Sequence, residues 1–196
     1  MYQKYHTECL VLGHREHGES DRVFTLYTEE FGLVRARCSA VRSENSRMRY
    51  ALQNYSRSHV GLVRGKRGWR IGGAIPIQGA GIGRGTLAFA RITRLIARFT
   101  VGEECDPYLF SVLRDAHGVL MQDPCEAWPI IEIVCVARSL NALGYLSVEA
   151  LDLPAGEAGT TLFTHTMYED RDILEAETVQ EKLLVSINRA IESTHL

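Results

Sequence analysis

The chain is poor in the features that mark enzymes, exported proteins and membrane proteins. Its five cysteines (Cys9, Cys38, Cys105, Cys125 and Cys135) are an odd number with no Cys-x-x-Cys pair. That spacing suits neither a zinc site nor a disulfide framework. Most of them sit beside apolar residues and read as small core side chains of a reducing compartment. No apolar run is long. The longest, around residues 129–137, contains Glu132 and falls well short of the ~20 residues that a membrane span needs. The opening MYQKYHTE lacks the apolar stretch of a signal peptide, so a soluble, cytoplasmic protein is expected.

Catalytic signatures are equally sparse. No Ser-His-Asp or Cys-His arrangement carries a recognisable local motif. The glycines at 79, 81, 83 and 85 miss the G-x-G-x-x-G spacing, and no Lys-Ser/Thr pair makes a P-loop. They read instead as a flexible hinge. His14 and His17 are three apart in what reads as a polar turn, without a third ligand. The acids Glu103, Glu104 and Asp106, and Glu169, Asp170 and Asp172, could suggest a metal-dependent nuclease. They lie at helix starts or in loops, where a helix dipole or solvent accounts for them. No catalytic residue and no metal ligand is nominated.

What is present is a lopsided charge distribution. The net charge of −2 hides 13 Lys+Arg against 7 acids in residues 1–80, and 9 against 17 in residues 81–196. Such halves have surfaces suited to different partners. Residues 35–70 alone hold ten basic side chains and one acid, Glu44. Period-two alternation predicts strands over 5–14, 22–28, 33–39, 55–63 and 69–77. In the third, Val34, Ala36 and Cys38 alternate with Arg35 and Arg37, so the two arginines point outward together. The segment 41–53 reads as a loop carrying Arg42, Arg47 and Arg49. Residues 64–68, Arg-Gly-Lys-Arg-Gly, read as a tight hairpin with Lys66 and Arg67 at its tip. Five short strands in about 75 residues predict a closed barrel of the OB type. Such barrels bind single-stranded nucleic acid by charge and by stacking, for which Tyr50, Tyr55 and Trp69 are available.

After residue 80 the period changes to that of helices. Thr86 can cap a helix to Val101 with an apolar stripe of Leu87, Ala90, Ile92, Leu95, Ile96 and Phe99. Asp106 and Pro107 open a second, which buries Leu109, Phe110, Val112, Leu113, Ala116 and Leu120. A third begins at Asp123-Pro124, is apolar nearly all round and ends at Gly144. Residues 149–159 read as loop, 160–166 as extended and 177–191 as a last helix. The fold class expected is α+β: residues 1–80 an OB-fold nucleic-acid-binding domain, residues 81–196 a helical domain.

The run GESDRVFTLYTEEFGLVRA, then SRMRYALQNYS and VRGKRGW, resembles the amino-terminal domain of the RecO recombination mediator family. GEECDPYLFSVL, LNALGY and INRAIESTHL are similar to that family's helical domain. The resemblance implies a bacterial protein that binds single- and double-stranded DNA and anneals complementary strands. It also implies work with RecR and the tail of the single-strand-binding protein SSB, to help load RecA on SSB-coated DNA, and no catalytic residue. The four-cysteine zinc module of many members is absent, because SVEALDLPAGEAG follows LNALGY here. Zinc is therefore not expected. Carried onto this chain, the DNA contacts would be Arg35, Arg37, Arg42, Arg47, Arg49, Lys66 and Arg67. Arg91, Arg94 and Arg98 repeat along the first helix and could rim a site for the acidic SSB tail. The rival readings are a non-catalytic scaffold that binds RNA or a protein partner, and a metal-dependent nuclease.

Overall fold

The structure is a computed structural model that describes residues 3–43, 46–100, 102–122, 124–148, 151 and 162–194. Asp123 and nearly all of the loop expected over 149–159 lie outside them. The chain divides into two compact units, Met1–Gly81 with Thr100–Phe110, and Ile82–Phe99 with Ser111–Leu196.

The first unit is built on strands β1 (Gln3–His17), β2 (Asp21–Thr28), β3 (Gly32–Cys38), β4 (Arg57–Gly65) and β5 (Gly68–Gln78). They close into a barrel in the order β1-β2-β3-β5-β4, with β4 returning to β1. One contact is parallel, between β3 and β5, where Ala36 pairs with Trp69 and Arg37 with Arg70. This is the five-stranded Greek-key barrel of the OB fold. Alternation explains its filling: Cys9, Val11, Phe24, Leu26, Val34, Ala36, Cys38, Val60 and Leu62 are buried in one core. Burial pushes the Cys38 thiol up to about 11, so it stays neutral and packs as a small apolar group. A short helix, α1 (Met48–Ala51), packs on β5 in the segment read as loop. The buried hydroxyls of Ser56 and Ser58 donate to the Ala51 carbonyl at 2.9 and 2.6 Å and hold its end.

Two readings are resolved here. β1 runs on to His17, so His14 and His17 lie in a strand and not in a turn; residues 18–20 alone make the turn. The reason is that His17 pairs with Asp21 and Glu16 with Arg22, extending the hairpin as a solvated ribbon whose polar side chains show no hydrophobic period. Trp69 is a core residue, 4% exposed, packed edge-on to Tyr5, with its indole nitrogen donating to Glu103 at 2.8 Å. It cannot stack on a base. Gly32 is required twice over: its φ is +60°, and a Cβ there would collide with the backbone carbonyl of Glu104.

The second unit holds α2 (Arg84–Phe99), most of α3 (Pro107–Leu120), α4 (Trp128–Ala142), α5 (Asp170–Thr178) and α6 (Gln180–Ser193). α4 is the central helix, packing on α2, α5 and α6. Asp106 caps α3, its Oδ1 accepting from the amides of Tyr108 and Leu109 at 2.9 and 3.0 Å. The stripe on α2 keeps Ile92, Ile96 and Phe99 of the one expected but differs at its start. Leu87 is 62% exposed, while Ala88, Phe89, Ile92, Thr93, Ile96 and Phe99 are buried. Gly85 sets that phase, because it lies so close to the Leu120 carbonyl that a Cβ would collide with it. Gly85 is thus a packing residue within a helix rather than part of a flexible hinge. Residues 162–164 are helical where an extended segment was expected; α6 is the last helix expected over 177–191, while α5 before it was not expected, the two meeting at Val179. Among the described residues no helix is long and apolar enough to cross a membrane.

Candidate nucleic-acid interface

β3 carries the start of the site. Val34, Ala36 and Cys38 are fully buried, while Arg35 and Arg37 stand exposed on the outer face. The parallel contact then sets Arg70 of β5 directly beside Arg37. The β4–β5 hairpin closes with Gly65 paired to Gly68, leaving Lys66 and Arg67 as its two-residue tip; Gly68 takes φ +98°. Together Arg37, Ser39 and residues 65–70 line an open groove of about 510 Å³. Four cations therefore face one groove.

Like charges side by side on a sheet repel. Arg37 is relieved by Asp21, whose Oδ2 accepts from the arginine Nε at 2.8 Å. The other oxygen of Asp21 accepts from the Ala40 amide at 2.9 Å, where the chain turns with φ +54°. That amide and then the Arg37 guanidinium hold the Asp21 carboxyl below the usual carboxylate range. Asp21 is thus the clamp of the turn after β3. Among the described residues Arg35, Lys66, Arg67 and Arg70 form no ion pair. Among the described residues no acid compensates their field.

The remaining basic residues proposed from sequence lie apart or are engaged. Arg42 pairs with Glu16 at 3.0 Å, and Glu16 also holds Arg22 at 3.1 Å. Arg47 stands at the N-cap position of α1 without capping it, and Arg49 lies along Tyr50, donating to its hydroxyl at 2.7 Å. Arg70 was not among the residues nominated, although Trp69-Arg70-Ile71 alternates buried, exposed, buried. In the second unit Arg91 is bound to Glu132 at 2.6 Å and lies over Trp128, whereas Arg94 and Arg98 are exposed. Four of the acids that could have suggested a nuclease have structural partners: Glu103 with Trp69, Asp106 at the start of α3, and Glu169 with Asp172 in a capping box at α5. Among the described residues no three metal-ligating side chains converge.

Barrel closure, strand order and a cationic groove at the β4–β5 hairpin define an OB-fold protein. Residues 1–71 match the family model described as Recombination protein O N terminal. The DNA repair protein RecO of Desulfitobacterium hafniense is 40% identical over 62 residues, 32% of this chain and 23% of that protein. That of Heliobacterium modesticaldum is 29% identical over 162 residues, 78% of this chain and 56% of that protein. That of Myxococcus xanthus is 31% identical over 121 residues, 57% of this chain and 48% of that protein. The matches thus span between a quarter and little more than half of these relatives' lengths. The comparisons support a likeness to the RecO family, carried chiefly by its N-terminal domain over residues 1–71.

Proposed function

We propose that the protein is a non-catalytic recombination mediator that binds single- and double-stranded DNA through the barrel and anneals complementary strands. The observation that carries this reading is the meeting of Arg37, Lys66, Arg67 and Arg70 at one groove, three of them without an ion pair among the described residues. Cations held on a rigid sheet neutralise phosphates without reading bases. They also screen the repulsion between two strands, which is what annealing requires. Arg35 extends the groove's field along β3, and Arg42, Arg47 and Arg49 form a second, weaker tier. Partnership with RecR, binding of the SSB tail and help in loading RecA in the bacterial nucleoid rest on the family resemblance. For the acidic SSB tail, Arg94 and Arg98 remain available, while Arg91 is engaged by Glu132. Zinc has no part in this reading.

The test is binding to a fluorescent single-stranded oligonucleotide across a salt series, without added metal. Log affinity is expected to fall linearly with log salt, with a slope of about −2 to −3 for three or four phosphates neutralised. Flat or absent binding would overturn the proposal in favour of a protein or RNA scaffold. Asp21→Asn is expected to release Arg37 and steepen that slope by about 0.7, one further phosphate. An unchanged slope would remove Arg37 from the contacts.

A further inference from the structure

The outer face of β1, β4 and β5 carries a feature that the groove does not explain. Gly61 of β4 is paired with Gly73 of β5, and the register slips beside them, so that Gly72 is an extra residue in the ladder. Glycine weakens a strand, and here three meet at one place in a sheet. Packing does not demand them. A Cβ at Gly73 would meet nothing within 4 Å, and at Gly61 and Gly72 it would make ordinary contacts of 3.5 and 3.7 Å with side chains. None of the three has the left-handed backbone that would exclude other residues. The glycines therefore keep open a shallow saddle of about 260 Å³, rimmed by Lys4, His6, His59 and Ile75. Both histidines are exposed, and Ile75 is 68% exposed although it is large and apolar.

The saddle is continuous with the groove. Residues paired across a sheet share a face, so the outward row runs from Arg37 to Arg70, then Val63, then Lys4. Lys4 is two strands, or about 10 Å, from Arg70. A polyanion seated on Arg37 and Arg70 thus reaches the saddle without leaving the cationic row. The hollow is too small for a drug-sized ligand. A shallow floor between two imidazoles and an aliphatic side chain suits a single planar ring, since histidine is among the side chains on which splayed bases stack.

We propose that this saddle seats an unstacked nucleobase of the single strand whose phosphates occupy the Arg37–Arg70 groove. The inference rests on the nucleic-acid reading of that groove, and the experiment separates the two. Affinity is measured across a salt series for an oligothymidylate and for an abasic deoxyribose-phosphate oligomer of equal length. The wild-type protein is expected to bind the oligothymidylate roughly ten-fold more tightly, the scale of one stacked base. Gly73→Leu fills the saddle in space that is open, and it should abolish that preference while leaving abasic binding and the salt slope unchanged. The double variant His6→Ala/His59→Ala should do the same from the rim, which keeps the test valid if the leucine disturbs the strand. Equal wild-type affinity for the two oligomers, or a preference that survives in both folded variants, overturns the base seat and leaves the groove standing. Wild-type binding to neither oligomer overturns both.

Discussion

Replacing Arg138 with methionine is expected to lower the stability of the helical unit by about 3–5 kcal/mol. Arg138 sits in the middle of α4 and is fully buried. Its Nε donates to the Leu162 carbonyl at 2.5 Å, and its Nη1 donates to the carbonyls of Thr166 and Met167 at 3.1 and 2.9 Å. The guanidinium also lies 4.8 Å from the centre of the Tyr168 ring. No carboxylate among the described residues pairs with it, so the charge is dispersed over three backbone dipoles and one aromatic face. Methionine fills most of the same volume and carries no donor. Three carbonyls would then lose their partner, at about 1–3 kcal/mol for each that stays buried. The segment 162–168 would lose its attachment to α4, and α5 begins two residues later. Thermal unfolding followed by far-ultraviolet circular dichroism should show Tm falling by about 10–25 °C. Arg138→Lys keeps the charge but presents one nitrogen where a planar fork reaches three acceptors, so it should recover only part of the loss. A fall of less than about 3 °C in the methionine variant would mean that these bonds do not hold the segment.

Arg138 also shows where the sequence stops being legible. Within an apolar helix it reads as a polar exception, and its partners lie 24 to 29 residues further on. Nothing local announces them. The strands of the barrel were legible because alternation is a local property: Val34, Ala36 and Cys38 go in, so Arg35 and Arg37 must come out. The neighbour of Arg37 was not, since the contact with Arg70 is made only when β3 and β5 close the barrel in parallel. The clamp of Asp21 on Arg37 is made within the β2–β3 hairpin, and pairing of Asp21 with a nearby arginine or with turn amides was legible in the sequence. Trp69 was ambiguous for a different reason. An aromatic beside a basic hairpin serves equally well as a stacking platform or as core, and Glu103, 34 residues away, decides by accepting its indole proton. On α2 Ile92, Ile96 and Phe99 are buried as expected, and the miss is Leu87, exposed where Gly85 comes close to the Leu120 carbonyl.

Reversing the three unpaired cations of the groove, as Lys66→Glu/Arg67→Glu/Arg70→Glu, is expected to abolish binding to single-stranded DNA at about 0.1 M salt. Each phosphate neutralised on a single strand contributes about 0.7 to the salt slope, so three contacts account for about two units. Across the one decade between 1 M and 0.1 M salt, that slope is worth about a hundred-fold in affinity. Reversal removes this factor and adds repulsion from three carboxylates, which moves the loss beyond it. The fold should be indifferent. Lys66, Arg67 and Arg70 are exposed, none forms an ion pair among the described residues, and Gly65 and Gly68 keep the hairpin's geometry. Tm is therefore expected to stay within about 2 °C, surface substitutions of this kind costing little. Arg94→Glu, an equally exposed reversal on α2, changes the net charge without touching the groove and should leave affinity within about two-fold. Annealing of complementary oligonucleotides should be lost in the triple variant and kept in the control, because it depends on screening at the groove and not on overall charge. Retained annealing by a folded triple variant would place the strands on another surface, with the tier of Arg35, Arg42, Arg47 and Arg49 the next to reverse.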